Sequence, residues 1–160
     1  MRDSGHPVKM SEAQPTVVIR PASAADLARI IALDAEMTGT PKRAFWEDTF
    51  NRFTGREGRH FLVAEDARST TVTGYIVGEV RAYEFGSEPC GWVMAIGVDP
   101  RLRVRRVGER LFDAVCERLR ADGVSTVRTM VPREDRLDMA FFRAQGMMAG
   151  PFIELEKPLD

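Results

Sequence analysis

The stretch GWVMAIGV (Gly91–Val98) constrains the fold more than any other. It is a nearly continuous apolar run of strand length, which reads as a central strand buried on both faces. Asp99–Pro100 ends it. An arginine-rich turn follows, then the best amphipathic helix in the chain. Val107, Leu111, Val115 and Leu119 recur every four residues, and Phe112 and Cys116 widen the stripe. Asp122–Gly123 closes that helix, and STVRTMV (Ser125–Val131) reads as the next strand. Two strands joined through a helix must run parallel or reach across the sheet.

The rest of the chain supplies the neighbours. A β-branched run after Thr16 stops at Pro21, and Ser23 with Asp26 resembles a helix N-cap with an acidic first turn. Leu27, Ile30, Ile31 and Asp34 follow at helical spacing, with Met37 further on. Thr38–Pro41 breaks that helix, and Lys42–Phe53 forms a second one with a broad apolar face. His60–Asp66 and Val72–Tyr83 read as two strands of a hairpin. Leu137–Gly146 reads as a short helix stopped by its glycine, and PFIELEKPL as a last strand. The expected fold is α/β in content: one domain with a mixed, mostly antiparallel twisted sheet of about six to seven strands flanked by about four helices.

At 160 residues the chain has room for one ordinary domain. Residues 1–15 are polar and read as a mobile tail, and 16–160 as the domain. No apolar run approaches the roughly 18 residues of a membrane span, and the N-terminus has no signal core. Cytoplasm is therefore the expected compartment, without a membrane partner. Two cysteines, Cys90 and Cys116, are too few for a disulfide framework or a zinc site, so both read as buried thiols and no metal is expected.

A formal net charge of -1 gives no basic field, which argues against nucleic acid as a partner. Against that balance, the turn VDPRLRVRRVGERL (Val98–Leu111) puts Arg101, Arg103, Arg105, Arg106 and Arg110 within ten residues. A helix start leaves amide N–H groups unpaired at the positive end of the dipole, which makes it an anion site. Gly108 permits close approach, and a diphosphate is the natural occupant. The Gly-x-x-x-x-Gly-Lys pattern of a nucleotide-hydrolysing loop is missing, and so is Gly-x-Gly-x-x-Gly near the first strand.

The stretch resembles the acetyl-CoA loop of GNAT-family N-acyltransferases: a strand ending in Val-x-Pro, then Arg/Gln-x-x-Gly-x-Gly/Ala opening a helix. Val98, Pro100, Arg103 and Gly108 fall on that pattern, and Arg106 stands where its first glycine would be. The family's later motif falls on Val131, Asp135 (for Asn), Asp138 (for Ala), Phe142 (for Tyr), Gly146 and Met147 (for Phe). The resemblance implies acetyl-CoA as cosubstrate and a small-molecule or peptide amine as acceptor, and it leaves a homodimer open. It implies that the main chains of Ile96 and Val98 hold the pantetheine arm, and that Arg103, Val104, Arg105, Arg106, Val107 and Gly108 surround the diphosphate. Asp135 and Phe142 are implied on the cofactor side.

Acyl transfer needs a neutral amine, a stabilised oxyanion and a protonated leaving thiolate. The family's glutamate position on the central strand is Trp92 here, and its tyrosine acid position is Phe142. Replacement candidates are Glu79, set in an apolar strand, and Glu84 and Tyr83 on the loop after it. Glu79 reads either as solvated at a sheet edge or as pointing into the substrate cleft. A second reading of the same residues is a catalytically weak acyl-CoA-binding module.

Overall fold

A computed structural model describes residues 17–159, with the side chains of 103–105 outside that description. The expected tail, residues 1–15, lies outside the described residues. The elements run β1 (Val17–Pro21), α1 (Leu27–Thr38), α2 (Arg43–Phe53), β2 (Arg59–Asp66), β3 (Val72–Arg81), β4 (Cys90–Val98), α3 (Val107–Ala121), β5 (Val127–Arg128) and α4 (Arg136–Ala144). The strands form one sheet in the order β1-β2-β3-β4-β5. The first four pair antiparallel, and β5 joins β4 in parallel, as the crossover through α3 requires.

Each face of the sheet has its own core. On one face Val93, Ile96 and Val98 of β4 meet Leu62, Ile76 and the buried stripe of α3. On the other, Tyr75 and Val77 of β3 meet Ile30 and Leu33 of α1 and Trp46 and Phe53 of α2, with Met94 and Ala95 of β4 against them. β4 is thus sandwiched, which accounts for its unbroken apolar sequence.

Local signals set the element ends. Asp26 accepts a hydrogen bond from the Ser23 N–H at 2.7 Å, fixing the turn that leads into α1. Gly39, at φ 79°, ends α1, and Gly146, at φ 83°, follows α4.

Two expectations need correction. Among the described residues the sheet has five strands, not six or seven. Ser125–Val131 contributes only Val127–Arg128, because the chain then turns away from β4, and the Thr129 hydroxyl, not a further ladder bond, meets the Val93 carbonyl at 2.8 Å. The segment 151–159 forms no strand: so short a β5 offers it no edge to pair with, and Ile153, Leu155 and Leu159 remain exposed. Cys90 is buried as expected, whereas Cys116 is half-buried.

Candidate functional site

β4 outruns its parallel neighbour. Pairing to β5 stops at Trp92↔Arg128, but β4 continues to Val98. Residues 94–98 therefore lack a partner strand on that side among the described residues, a gap of about 16 Å at strand rise. The direction of the backbone groups follows from the ladder. Asp99 N–H donates to the Thr73 carbonyl at 2.8 Å, so position 99 faces β3. Alternation then turns the N–H and C=O of Val98 and Ile96 toward the gap. A β-bulge lies at the narrow end: Val77 pairs with Ala95 and Gly78 with Val93, which leaves Met94 as the extra residue.

The wide end of the gap meets the start of α3. Asp99 begins the connecting 3-10 turn Pro100–Arg105 by accepting from the Arg101 N–H at 3.0 Å. Its carboxylate also takes the Arg101 Nε at 2.8 Å and the Arg29 guanidinium of α1 at 2.9 Å. The hydrogen bonds from Arg101, with the charge of Arg29 behind them, hold the Asp99 carboxyl down to about 2 despite burial, which opposes the shift. Asp99 thus ties the turn to α1.

Arg106 joins the turn to α3 at φ 57°, ψ 23°. This is the left-handed region, and it explains why a glycine suits this position. The Arg106 guanidinium turns back onto Glu109 of α3, at 2.5 and 2.6 Å. Two of the five clustered arginines, Arg101 and Arg106, therefore already have carboxylate partners. Gly108 lies in the first turn of α3, beside the buried Val107. A Cβ at Gly108 would stand 3.1 Å from the Phe141 ring and 3.5 Å from Val98. The tight side of this glycine faces α4 and β4, inside the protein, whereas the sequence alone points to room for a ligand.

The remaining predicted residues divide between the two ends of β4. Arg103, Val104 and Arg105 lie in the 3-10 turn, with side chains outside the described residues. Asp135 caps α4, accepting from the Asp138 N–H at 3.0 Å. Phe142 is 6% exposed and packs edge-on against Phe112 and Phe141, with centroids 6.0 and 5.1 Å away. At the other end, Glu79 is on the strand between β2 and β4, at neither the sheet edge nor in solvent. Its carboxylate meets the Arg81 Nε at 3.1 Å and the Arg59 Nε at 3.6 Å. Tyr83 and Glu84 lie on the β3–β4 loop, with Tyr83 74% exposed at φ 62°. The Glu84 carboxylate has no hydrogen-bond or ion-pair partner among the described residues.

Sequence reasoning missed the Arg29–Asp99–Arg101 clamp, although Asp-Pro after a strand is a legible turn start. It also missed Thr129, Arg128 and the packing of Phe141 on Gly108, contacts between elements that carry no motif. Among the described residues no cluster of three or more metal-ligating side chains occurs, and no helix is long and apolar enough to cross a membrane.

A sequence profile described as acetyltransferase (GNAT) family matches residues 26–147. The sequence matches no protein of curated function. Several solved structures share the fold. Aminoglycoside N-acetyltransferase AAC(6')-Iy in complex with CoA superposes with a TM-score of 0.79 at 16% identity, covering 93% of this chain and 99% of that one. AAC(6')-Ih from Acinetobacter baumannii gives 0.75 at 15% identity, covering 91% and 100%. A transcriptional regulator from Bacillus halodurans C-125 gives 0.74 at 16% identity, covering 90% and 100%. At such identities the likeness shows the fold alone.

Proposed function

The chain belongs to the acetyltransferase (GNAT) family, and on that premise we propose that it transfers an acetyl group from acetyl-CoA to a primary amine by direct attack. One observation carries the reading: the open edge of β4, with Ile96 and Val98 groups facing the gap, runs straight into the N-terminus of α3. A diphosphate at the first amides of α3 satisfies unpaired donors at the positive helix end. An extended amide-bearing arm laid along Ile96 and Val98 completes the missing ladder. Its thioester then reaches the narrow end, beside Val93, Met94 and Thr129. The CoA complex of the AAC(6')-Iy neighbour supports this choice of ligand.

The chemistry asks little of the protein. The neutral amine attacks the thioester carbonyl, the C–N bond forms and the C–S bond breaks. Sulfur leaves as thiolate, and the surplus proton of the nitrogen passes to a base or to solvent. Phe142 holds the position of the family's acid, so the thiolate departs unassisted or takes its proton from water. Loss of a general acid typically costs about 10²–10⁴-fold in rate. Of the three candidate groups, Glu79 is engaged by two arginines. Glu84, whose carboxylate is unengaged, is the candidate base, with Tyr83 beside it on the same loop.

The test is thiol release from acetyl-CoA across a panel of amines, alongside calorimetric titration with CoA. Binding with turnover supports the proposal. Binding without turnover of any amine selects the acyl-CoA-binding module instead, and no heat with millimolar CoA overturns both.

A further inference from the structure

The face of the sheet opposite α3 changes character beyond Val77 and Ala95. The strand registers Arg59↔Glu79, Glu79↔Trp92 and Trp92↔Arg128 place four residues in one row across β2 to β5. Paired residues in a sheet share a face. Above this row the Arg81 guanidinium lies over the Trp92 ring, 4.6 Å from its centroid. The row and its border thus hold three guanidinium groups, of Arg59, Arg81 and Arg128, and one carboxylate, that of Glu79. Glu79 is shared between Arg81 and Arg59, and nothing neutralises the third.

That third group is Arg128. Its Nη1 donates to the Ser87 hydroxyl at 2.7 Å and to the Cys90 sulfur at 3.3 Å, and the Phe152 ring covers it at 4.7 Å. No carboxylate lies within ion-pair distance of it among the described residues, and its Nε and Nη2 donate to none of them. A half-buried guanidinium with open donors calls for an anion. Its place in the chain is equally specific. Arg128 precedes Thr129, whose hydroxyl marks the point where β4 and β5 part. Trp92 is two residues, about 7 Å, before the bulge at Met94. The α3 face is closed by packing on Val93, Ile96 and Val98, and on the other face the α1 and α2 core packs on Met94 and Ala95, so the approach argued for an acceptor runs along the polar row beyond Ala95, where Arg128 lies.

We propose that the acceptor amine carries a carboxylate, which Arg128 receives with Arg81 as second donor; its class is amino acids and similar small amino-carboxylates, not polycations. The inference rests on the acetyltransferase reading for the position of the transferred group. The acids nearest in sequence, Glu84 and Glu88, favour a cationic acceptor, but they lie exposed on the β3–β4 loop. Exposed charges act through water and are screened within about 8 Å at physiological salt. A charge near a protein surface at an effective dielectric near 20 acts about fourfold more strongly than in water, so the half-buried Arg128 dominates.

The experiment crosses ligand with protein. Phenylalanine, leucine and β-alanine, their primary amides and kanamycin are offered with acetyl-CoA to the full chain and to Arg128→Met, and free thiol is measured. The same ligands are titrated calorimetrically into the CoA-saturated proteins. For at least one amino acid, the full chain is expected to prefer the carboxylate over its amide by tenfold or more in kcat/KM or in affinity. Arg128→Met should erase that preference while leaving KM for acetyl-CoA unchanged. A merely structural Arg128 lowers carboxylate and amide equally, which overturns the proposal, as does equal use of the two by the full chain or preference for kanamycin. If Arg128→Met does not fold, Arg128→Lys and Arg81→Gln are read in the same cycle, each expected to reduce the preference at least threefold. If CoA binds but no amine turns over, the acetyltransferase reading fails, and the affinity ratio still decides this one. If none of the amino acids binds, the proposal falls.

Discussion

Gly97 of β4 lies directly opposite Tyr75 of β3, and a Cβ at position 97 would stand 2.6 Å from the Tyr75 ring and 2.5 Å from the Met37 methyl. The ring cannot retreat. It is buried edge-on against Trp46, 4.9 Å between centroids, and its hydroxyl bonds Asp34, which also takes the Trp46 N–H at 3.0 Å and the Lys42 ammonium at 2.9 Å. Burial, reinforced by the charge of Asp34, pushes the Tyr75 hydroxyl well above the usual range, so it stays protonated and donates to that carboxylate.

Gly97→Ala should therefore destabilise the fold by about 1–3 kcal/mol through overpacking. Met37→Ala removes only the flexible half of the clash and should not restore the loss. Chemical denaturation of the single and double variants checks this. A neutral Gly97→Ala would mean that β3 and β4 separate more easily here than the register implies.

Arg106 holds a left-handed conformation, which costs an L-residue roughly 1–2 kcal/mol relative to glycine. Its contact with Glu109 is solvent-facing and screened. Arg106→Gly should therefore raise the melting temperature and keep or improve CoA affinity. Differential scanning calorimetry at low and high salt separates backbone relief from charge. A lower melting temperature at both salts would show that the Glu109 contact outweighs the strain.

Gly108→Val would press on Phe141 and Val98. We expect it to lose about 1–3 kcal/mol of stability as well as CoA affinity. The milder Gly108→Ala should regain stability when combined with Phe141→Leu, which vacates the ring edge. If stability is unchanged in Gly108→Val while CoA binding is lost, the crowded side of this glycine faces the ligand after all.

The sequence made the frame legible because period and punctuation are local. The run Gly91–Val98, the four-residue recurrence from Val107 to Leu119 and the Gly146 stop all act within one element, and each element forms where they indicate. What stayed hidden depends on meetings between elements. Nothing near Ser125–Val131 announces that pairing ends at Arg128, since that requires knowing where β4 is. Glu79 could be read as edge or cleft because a strand's neighbours are not written in it: that β2 and β4 flank it, and that Arg59 of β2 reaches its carboxylate, appears only in the assembled sheet. The turn was recognisable from Val98, Pro100, Arg103 and Gly108, yet its anchor, Arg29 to Asp99, spans 70 residues.

That anchor has a pH signature. The folded Asp99 carboxyl sits at about 2, against roughly 3.9 in an unfolded chain. A depressed folded value contributes stability that is complete above about pH 4 and lost as pH falls toward 2. Asp26, held below its usual value first by its hydrogen bond from Arg20, acts in the same direction. Asp99→Asn should cost about 1–2 kcal/mol at neutral pH and flatten the stability profile between pH 4 and 2. Urea midpoints measured across that interval test it; parallel profiles for both proteins would show that Asp99 is not the group responsible.

On the proposed acetyl transfer, position 142 bears on how the leaving thiolate would be protonated. In the family this position supplies a tyrosine; here its ring is sealed between Phe112 and Phe141 on the side of the sheet that α3 covers. Adding a para hydroxyl has two competing consequences. If the oxygen reaches the gap beside β4, Phe142→Tyr gains a proton donor, and the rate rises by about 10²-fold or more. If it stays among the rings, an unpaired hydroxyl is buried at a cost of about 1–3 kcal/mol. The 6% exposure and the two edge-on neighbours favour the second outcome. We therefore expect Phe142→Tyr to lower the melting temperature, with less than a tenfold change in kcat/KM and no new descending limb at high pH. A stable variant with a hundredfold faster turnover and such a limb would place the position 142 side chain at the thioester and show that wild-type chemistry is limited by a missing acid.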